Sequence, residues 1–195
     1  MNTDKQATTN HEILDVLKNR WSPRAFADKA VDQETINKLL EAARWSASSM
    51  NEQPWRFIYA YKGEEAFEKI ADALMPGNKD WASKAPVLIA TIVKNTFDRN
   101  GKPNRSAQHD LGLAVGNLSA QATAEGIALH QMGGVFLDQI KTSFGLPDDH
   151  EAVSVIALGY YGTPDDLSEE LKAREKSERK RKEITDFAFH GQFKL

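Results

Sequence analysis

The sequence predicts a single domain that combines amphipathic helices with short buried strands. A length of 195 residues, with 41% hydrophobic and 27% charged residues, suits one globular domain with a sizeable core. Apolar residues recur at helical spacing in several segments, most clearly over residues 36–43. Pro86–Val93 is instead a continuous apolar run, which is typical of a strand buried on both faces. We therefore expect one domain over residues 1–195, with a flexible N-terminus over 1–9.

Local signals place the elements of the first half of the chain. Pro54 blocks helix formation, and the aromatic and β-branched residues after it favour a strand. The predicted elements, in chain order, are a short helix capped by Asn10 and ending near Arg20, a helix capped by Asp32, a strand over Trp55–Tyr61, a helix opened by Gly63 and ended at Met75–Gly77, and a connector over Asn78–Trp81.

The second half alternates in the same way and ends in a charged segment. Its predicted elements are the buried strand ending at Val93, a polar loop over Thr96–Arg105, a long helix over Ser106–Gly126, a strand over Ile127–Met132, an amphipathic helix over Gln139–Leu146 and a strand over Val153–Tyr161. The long helix is apolar or small-sided most of the way round, which predicts a central core helix or a subunit interface. His109 and Asp110 near its start are the residue types of an acid–base pair, but adjacent residues point about 100° apart on a helix and do not form such a pair by themselves, so a structural role is predicted. Lys172–Glu183 is typical of a solvated helix or arm, and the aromatic residues after it are expected to dock on the chain's own body or on a partner.

Composition excludes several classes of function. A net charge of −3 argues against a general nucleic-acid binder, and no apolar run approaches the ~18 residues of a membrane span. Cysteine is absent, which excludes disulfides and thiolate metal sites, and no histidine pair has metal-ligand spacing. The polar N-terminus lacks the apolar core of a signal peptide, so a cytoplasmic protein is expected. Rossmann, Walker and Gly-x-Ser-x-Gly motifs are also absent.

Three polar or glycine-rich segments are candidates for a binding site. Arg20-Trp-Ser-Pro-Arg24 offers two guanidinium forks and a hydroxyl that suit a phosphate, although a solvated turn has the same residues. The segment from Ser46 to Gln53 carries more amides and hydroxyls than a helix cap needs; it is either a capped helix end with an Asx-turn or the polar floor of a ring-binding site. Gly133-Gly134 allows either a tight turn or the close approach of a ligand. With a second basic cluster at Arg179–Lys182, these features point to a mononucleotide.

Five motifs of the chain are distinctive when taken together: Arg20-Trp-Ser-Pro-Arg24-Ala-Phe26, Ser48-Ser-Met-Asn51-Glu-Gln53-Pro-Trp-Arg-Phe57, Gly133-Gly134, Leu158-Gly-Tyr-Tyr-Gly162 and Arg179-Lys-Arg181-Lys. In these motifs the sequence resembles the nitroreductase family of FMN flavoproteins, and the resemblance runs along most of its length, from about His11 to Phe193. The resemblance implies an α+β fold with a mixed, mainly antiparallel sheet flanked by helices, in an intertwined homodimer with flavin at the interface. The long helix would form the dimer core, and the arm over residues 165–195 would pack on the partner subunit.

The resemblance also implies which residues bind FMN. They are Arg20, Trp21, Ser22, Arg24, Ala47, Ser48, Ser49, Met50, Asn51, Gln53, Asn78, Met132, Gly133, Gly134, Arg179 and Arg181. In this assignment the two arginine clusters hold the phosphate, the loop over Ala47–Asn51 reaches the flavin of the other subunit, and the glycine pair lies near the reactive edge of the ring. Met132 occupies the position at which some relatives carry a glutamate. No metal and no catalytic acid or base is expected, because the chemistry belongs to the cofactor.

The implied activity is hydride transfer from NADH or NADPH through FMN to nitroaromatics, quinones or similar acceptors, in a ping-pong cycle. Two alternatives stay within the flavin-binding fold: an enzyme with another acceptor, such as a dehalogenase or a dehydrogenase-like enzyme, and a non-catalytic FMN-binding redox sensor. A third alternative is an interaction protein that binds acidic partners through the basic arm. No nucleic-acid or membrane partner is expected.

Overall fold

A computed structural model describes residues 5–193 and contains one four-stranded sheet with helices on both faces. The helices and strands, in chain order, are α1 (Asp15–Asn19), α2 (Gln33–Arg44), β1 (Trp55–Tyr61), α3 (Glu65–Asp72), α4 (Pro76–Ala82), β2 (Val87–Lys94), α5 (Ala107–Ala124), β3 (Ile127–Met132), α6 (Leu137–Phe144), β4 (His150–Tyr160) and α7 (Glu169–Lys176). Short 3₁₀ turns lie at Ser49–Asn51, Pro164–Asp166 and Ile184–Asp186. The predicted α+β class is confirmed.

The strands lie in the order β1-β2-β4-β3, and each neighbouring pair is antiparallel. The mainly antiparallel sheet is therefore confirmed. The two central strands are β2 and β4, which pair across Val87 and Leu158 at one end and across Lys94 and His150 at the other. A register shift follows Thr91, whose hydroxyl lies 2.8 Å from that of Ser154 across the pair. This contact gives the buried hydroxyl of Thr91 and the half-buried hydroxyl of Ser154 a partner at the irregularity.

The sheet separates two hydrophobic clusters, and alternate residues of β2 enter each. Leu88, Ala90 and Ile92 pack with α3, α4 and α6, whereas Val87, Ile89 and Val93 pack with α2 and α5. Side chains of successive strand residues point to opposite faces, so an apolar run without alternation fits a strand covered on both sides. The prediction of a doubly buried strand is confirmed.

The two largest differences between the predicted elements and the structure are at the N-termini of helices. The first helix begins at Asp15 rather than near Asn10, whose side-chain amide instead lies 3.4 Å from a carboxylate oxygen of Glu183. The predicted connector over Asn78–Trp81 lies within α4, a helix that starts at Pro76. Proline at the first position of a helix loses no hydrogen bond, because that N–H has no partner within the helix. The Pro-Gly pair, interpreted as the end of a helix, therefore begins one.

One face of α5 is open in the single chain. Leu111, Ala114 and Leu118 are buried against the sheet and α2. On the other side, Leu113 is 40% exposed, and the positions of Gly112 and Gly116 have open space where a Cβ atom would stand. The prediction that this helix is buried on most sides is thus met on one face only within one chain.

The N-terminal segment of the described chain contacts both the C-terminal arm and the end of α1. Lys5 Nζ donates to the carbonyl of Ser177 at 2.5 Å, and Ala7 N donates to the carbonyl of Lys18 at 3.0 Å. Of the segment expected to be flexible, residues 1–4 lie outside the described residues. In the C-terminal arm, α7 packs on its own chain, whereas Phe193 is 75% exposed. Among residues 5–193, none of the helices combines the length and the apolar character that a membrane crossing requires.

Candidate functional site

A basic cavity lies between the loop that precedes Phe26 and the segment that follows α7. Its volume is about 200 Å³. Six of the predicted site residues line it together: Arg20, Trp21, Ser22, Arg24, Arg179 and Arg181. The two basic clusters are far apart in sequence, yet they meet at this cavity. This geometry is consistent with the prediction that they converge on one ligand group.

The cations of the cavity are close enough to repel one another. The pKa of Arg20 is lowered, first by burial and then by the charge of Arg181. Arg20 Nη1 donates to the hydroxyl of Ser22 at 3.2 Å. The ion pairs formed within residues 5–193 include neither Arg20 nor Arg181. Convergent cations of this kind, with a hydroxyl beside them, suit a phosphate or another multivalent anion.

Hydrogen bonds from distant elements hold the backbone of this loop. Glu175 on α7 is only 2% exposed and accepts from the backbone N–H of Arg24 at 2.9 and 3.1 Å and from that of Ala25 at 3.2 Å. His130 on β3 has its Nδ1 atom 2.8 Å from the carbonyl of Pro23. Because a carbonyl only accepts, Nδ1 carries the proton and donates. Neither residue was among the predicted site residues.

The environment of His130 explains why it stays neutral. Its pKa is lowered to about 4, first by burial and further by Arg24 and Arg20, although the hydrogen bond to Pro23 acts in the opposite direction. The imidazole also packs on Trp81, with ring centroids 4.5 Å apart. A neutral histidine adds no further positive charge to the cavity while it fixes the loop.

Arg179 differs from the other arginines because its guanidinium donates to three backbone carbonyls of the chain. Its guanidinium donates to the carbonyls of Lys5 at 2.7 Å, Lys18 at 2.8 Å and Arg20 at 2.8 Å. Burial and the charges of Arg20 and Arg181 lower its pKa. These contacts indicate that Arg179 shapes the cavity by joining the N-terminal segment to the end of α1. Its predicted role as a direct phosphate ligand stays a prediction.

Trp21 closes one side of the same cavity. Its ring stacks on that of Tyr161 with centroids 5.9 Å apart and an angle of 18° between the planes. Tyr161 also forms an isolated antiparallel bridge with Phe26. The aromatic pair therefore joins the loop to the end of β4 at the wall of the cavity.

The glycine pair and Asn78 form a second predicted group that the structure brings together. Asn78 Nδ2 donates to the carbonyl of Gly134 at 3.0 Å. A Cβ atom on Gly134 would stand 2.6 Å from Asn78 Nδ2, so glycine is needed for this approach. Gly133 instead has open space beside it, whereas the side chain of Met132 is buried. The open surface after β3 is therefore backbone, onto which a flat ligand could pack closely.

The polar loop over Ala47–Gln53 lies on α5 and does not line the basic cavity. Met50, Asn51 and Gln53 have φ of 56°, 56° and 52°, a left-handed conformation that is rare outside glycine and typical of constrained functional loops. The carboxylate of Asp110, 3% exposed, accepts from the backbone N–H of Ser49 at 2.9 Å. This hydrogen bond fixes the loop to α5, outside the basic cavity of the same chain.

His109 and Asp110 contact each other although they are adjacent on the helix. Nδ1 of His109 lies 3.3 Å from Oδ1 of Asp110. The carboxylate of Asp110 also accepts from the backbone N–H of Ser49 and so holds the polar loop. The pair therefore has the contacts of a structural support.

The convergent cations of the basic cavity suit an anionic ligand. Within residues 5–193, no cluster of three or more histidine, aspartate or glutamate residues is arranged to hold a metal ion. The predicted site residues did not include Glu175, His130 or Asp110, whose partners lie 151, 107 and 61 residues away. Glu175 lies in a run of alternating charges that is typical of a solvated helix, so no local signal in the sequence indicates its burial.

Comparisons with known proteins give a consistent result. The family model described as "Nitroreductase family" matches residues 17–79 and 74–160. A protein of Methanothermobacter thermautotrophicus, provisionally named NADH dehydrogenase/NAD(P)H nitroreductase, is 30% identical over 153 residues, which cover 76% of this chain and 77% of the relative. A crystal structure of an oxidoreductase containing FMN is 33% identical, covers 100% of this chain and 98% of its own, and superposes with a TM-score of 0.90. A provisionally named nitroreductase from Desulfovibrio desulfuricans, solved in complex with FMN, shares the fold at 22% identity, with a TM-score of 0.73 and coverage of 95% of this chain and 100% of its own.

Proposed function

The chain belongs to the nitroreductase family, and on that premise we propose that it is an FMN-dependent oxidoreductase that uses NADH or NADPH. The proposed acceptors are nitroaromatics, quinones or similar compounds. Support comes from the oxidoreductase containing FMN, which matches this chain over its whole length at 33% identity. The name of the relative from Methanothermobacter, which includes NADH and NAD(P)H, supports a nicotinamide as the electron donor.

The observation that carries the proposal is the basic cavity. Arg20, Ser22, Arg24 and Arg181 converge on one space of about 200 Å³, which accommodates a phosphate and part of the chain attached to it. FMN differs from riboflavin by this terminal phosphate. A guanidinium fork and a hydroxyl both donate hydrogen bonds to phosphate oxygens. The residues present therefore fit the phosphate end of FMN.

The ring end of the cofactor has its own candidate surface. Gly133 leaves open space beside the backbone at the end of β3, and Asn78 is fixed against Gly134. When bound, FMN supplies the redox chemistry, taking reducing equivalents from the nicotinamide and passing them to the acceptor. The chain binds and orients the ring, and its cations favour negative charge that develops there. We infer a ping-pong cycle, in which donor and acceptor occupy the same place in turn.

We also propose that the working form is a homodimer. The open face of α5 carries Gly112, Leu113 and Gly116, a small and apolar surface on the longest helix of the chain. The strained loop over Ala47–Asn51 rests on this same helix through Asp110 and does not line its own chain's cavity. In a dimer built on α5, this loop and Gln53 would reach the flavin of the partner.

A substitution on the open face tests the dimer. Gly116→Arg meets open space in one chain, and replacing a helical glycine raises helix propensity by roughly 0.5–1 kcal/mol. We therefore expect a folded monomer in sedimentation or light scattering, where the unchanged protein is a dimer. Glu68→Arg, on the exposed side of α3, is the control and is expected to remain dimeric. A Gly116→Arg protein that remains dimeric would show that this face is not the interface.

The absorption spectrum of the purified protein tests the enzymatic proposal. Flavin bands that bleach when NADH or NADPH is added without oxygen, and return with an acceptor, are the expected result. Parallel lines in double-reciprocal plots at several acceptor concentrations would support the ping-pong cycle. Bands that resist both nicotinamides would overturn the proposed donor and favour a redox sensor. Failure to take up added FMN would overturn the proposal as a whole.

A further inference from the structure

Glu175 is buried in a helix whose other acidic residues are exposed. Its side chain is 2% exposed, whereas those of Glu169 and Glu170 on the same helix are 93% and 73% exposed. Burying a carboxylate is costly unless it is paired and hydrogen-bonded. An arrangement that places this group inside the protein therefore requires compensating contacts.

The contacts of Glu175 are mainly with backbone. Both carboxylate oxygens accept from the N–H of Arg24, at 2.9 and 3.1 Å, and one also accepts from the N–H of Ala25 at 3.2 Å. The guanidinium of Arg24 is farther away, with Nη1 at 3.9 Å from the nearer oxygen. Arg24 thus keeps most of its side-chain donors free of Glu175, while its backbone is fixed.

The backbone of the loop is held at Pro23, Arg24 and Ala25, next to the side chains that line the cavity. Pro23 has no N–H, so those of Arg24 and Ala25 are the next donors along the chain. The carbonyl of Pro23 is held from the opposite side by His130. Between these two contacts the backbone has little freedom to rotate, and the directions of Ser22 and Arg24 are set before any ligand arrives.

We propose that Glu175 is a positioning residue of the anion site, which holds the backbone at Arg24 and Ala25 so that Arg20, Ser22 and Arg24 converge on the phosphate of the ligand. The inference rests on the proposed function, since it takes the ligand to be FMN. Preorganised donors bind more tightly because the ordering of the loop does not have to accompany binding. Glu175 itself touches no ligand atom in this role.

The sign of the effect separates positioning from simple electrostatics. Glu175 brings a negative charge to the wall of a site for an anion, so removing that charge alone would strengthen binding of a phosphate. Loss of positioning weakens it. Glu175→Gln is therefore informative, because glutamine keeps the size of the side chain but places an amide NH₂ group where a backbone N–H must be accepted. Glu175→Asp keeps the charge and withdraws it by one methylene.

The experiment measures the affinities of the flavin-free protein for FMN and for riboflavin, which lacks the phosphate. We expect Glu175→Gln to weaken FMN binding at least about tenfold, in line with loss of hydrogen bonds to a charged group, while riboflavin binding changes less than about threefold. Glu175→Asp is expected to show the same selective loss to a smaller degree. Hydrogen exchange of the ligand-free protein should show faster exchange at the amides of Arg24 and Ala25 in both variants.

Two control variants complete the test. Glu169→Gln removes an exposed carboxylate from the same helix and is expected to leave both affinities unchanged. Glu178→Gln removes a charge from the wall of the same cavity without a backbone contact, and should leave FMN binding equal or tighter. Thermal unfolding of each variant reports whether the fold persists, and Glu175→Asp serves if Glu175→Gln does not fold.

The outcomes distinguish this inference from the proposed function. Selective loss of FMN affinity with faster exchange at Arg24 and Ala25 supports it. Unchanged or tighter FMN binding in the folded Glu175 variants, with an unchanged protein that binds FMN, overturns the inference and leaves the function standing. Equal losses for FMN and riboflavin also overturn it, because the effect is then not specific to the phosphate. An unchanged protein that binds no FMN overturns both.

Discussion

Burial of His130 makes the stability of the protein depend on pH in a defined way. Its pKa in the folded protein is lowered to about 4 from 6.5, mainly because the imidazole is buried and also because Arg24 and Arg20 lie near it. As the pH falls below 6.5, the unfolded chain binds a proton at this residue and the folded protein does not. Above pH 6.5 the titration of this residue therefore does not lower the free energy of unfolding. Below pH 6.5 the free energy of unfolding decreases as the pH falls toward 4.

The size of this effect follows from the difference between the two pKa values. One pKa unit corresponds to about 1.4 kcal/mol, so the change from 6.5 to about 4 contributes a loss of about 3 kcal/mol between pH 7.5 and pH 4. The carboxyl groups whose pKa is lowered in the folded state, such as Glu41 at about 2, contribute a loss of the same sign at lower pH. A variant that lacks only the imidazole is needed to separate the two.

His130→Asn is the variant we would use. The asparagine amide can donate to the carbonyl of Pro23 from nearly the place of Nδ1, and it does not titrate. Urea unfolding at fixed protein concentration should show that the free energy of unfolding falls by about 2–3 kcal/mol less in this variant than in the unchanged protein between pH 7.5 and 4. His11→Asn, the same substitution at an exposed histidine, should behave like the unchanged protein. Identical pH profiles for His130→Asn and the unchanged protein, or an imidazole that titrates near 6.5 by NMR, would refute the reasoning.

Two further predictions concern the two halves of the proposed flavin site. Arg24→Ala should weaken FMN binding by about 2 kcal/mol with little change for riboflavin, since a charge-assisted contact to phosphate is lost; fluorescence titration with an unchanged FMN affinity would remove Arg24 from the site. Asp110→Ala leaves the N–H of Ser49 without its acceptor and should lower the free energy of unfolding by about 1–3 kcal/mol in urea, whereas Asp15→Ala, at an exposed aspartate, should change it by less than about 0.5 kcal/mol.

Elements with local signals were predictable from the sequence. Asp32 does cap α2, with its carboxylate accepting from the N–H of Thr35 at 2.7 Å, and the uninterrupted apolar run does form the central strand β2. Both signals depend on residues within a few positions of each other. The start of α4 was missed because a Pro-Gly pair can follow the end of one helix or stand at the start of the next. Here it starts a helix, whose residues Trp81 and Ala82 pack in the core.

The candidate site divides along the same line. The cations Arg20, Arg24 and Arg181 were predicted from their motifs, and the structure places them around one cavity. Glu175 was hidden in a run of alternating charges that is typical of a solvated helix. Its burial depends on contacts 150 and 151 residues away in sequence, and no local pattern carries that information.

The different uses of the arginines explain how such a site remains ready for an anion. Arg179 spends its donors on three carbonyls and thereby fixes the wall of the cavity. Glu175, the nearest buried carboxylate, accepts from backbone N–H groups and leaves the guanidinium of Arg24 at 3.9 Å. If that carboxylate instead formed a close bidentate pair with Arg24, a phosphate would have to displace it and leave a buried carboxylate without its partner. Because the backbone satisfies Glu175, the loop is held in place while its cations keep their donors and their mutual repulsion, and both favour binding of a phosphate.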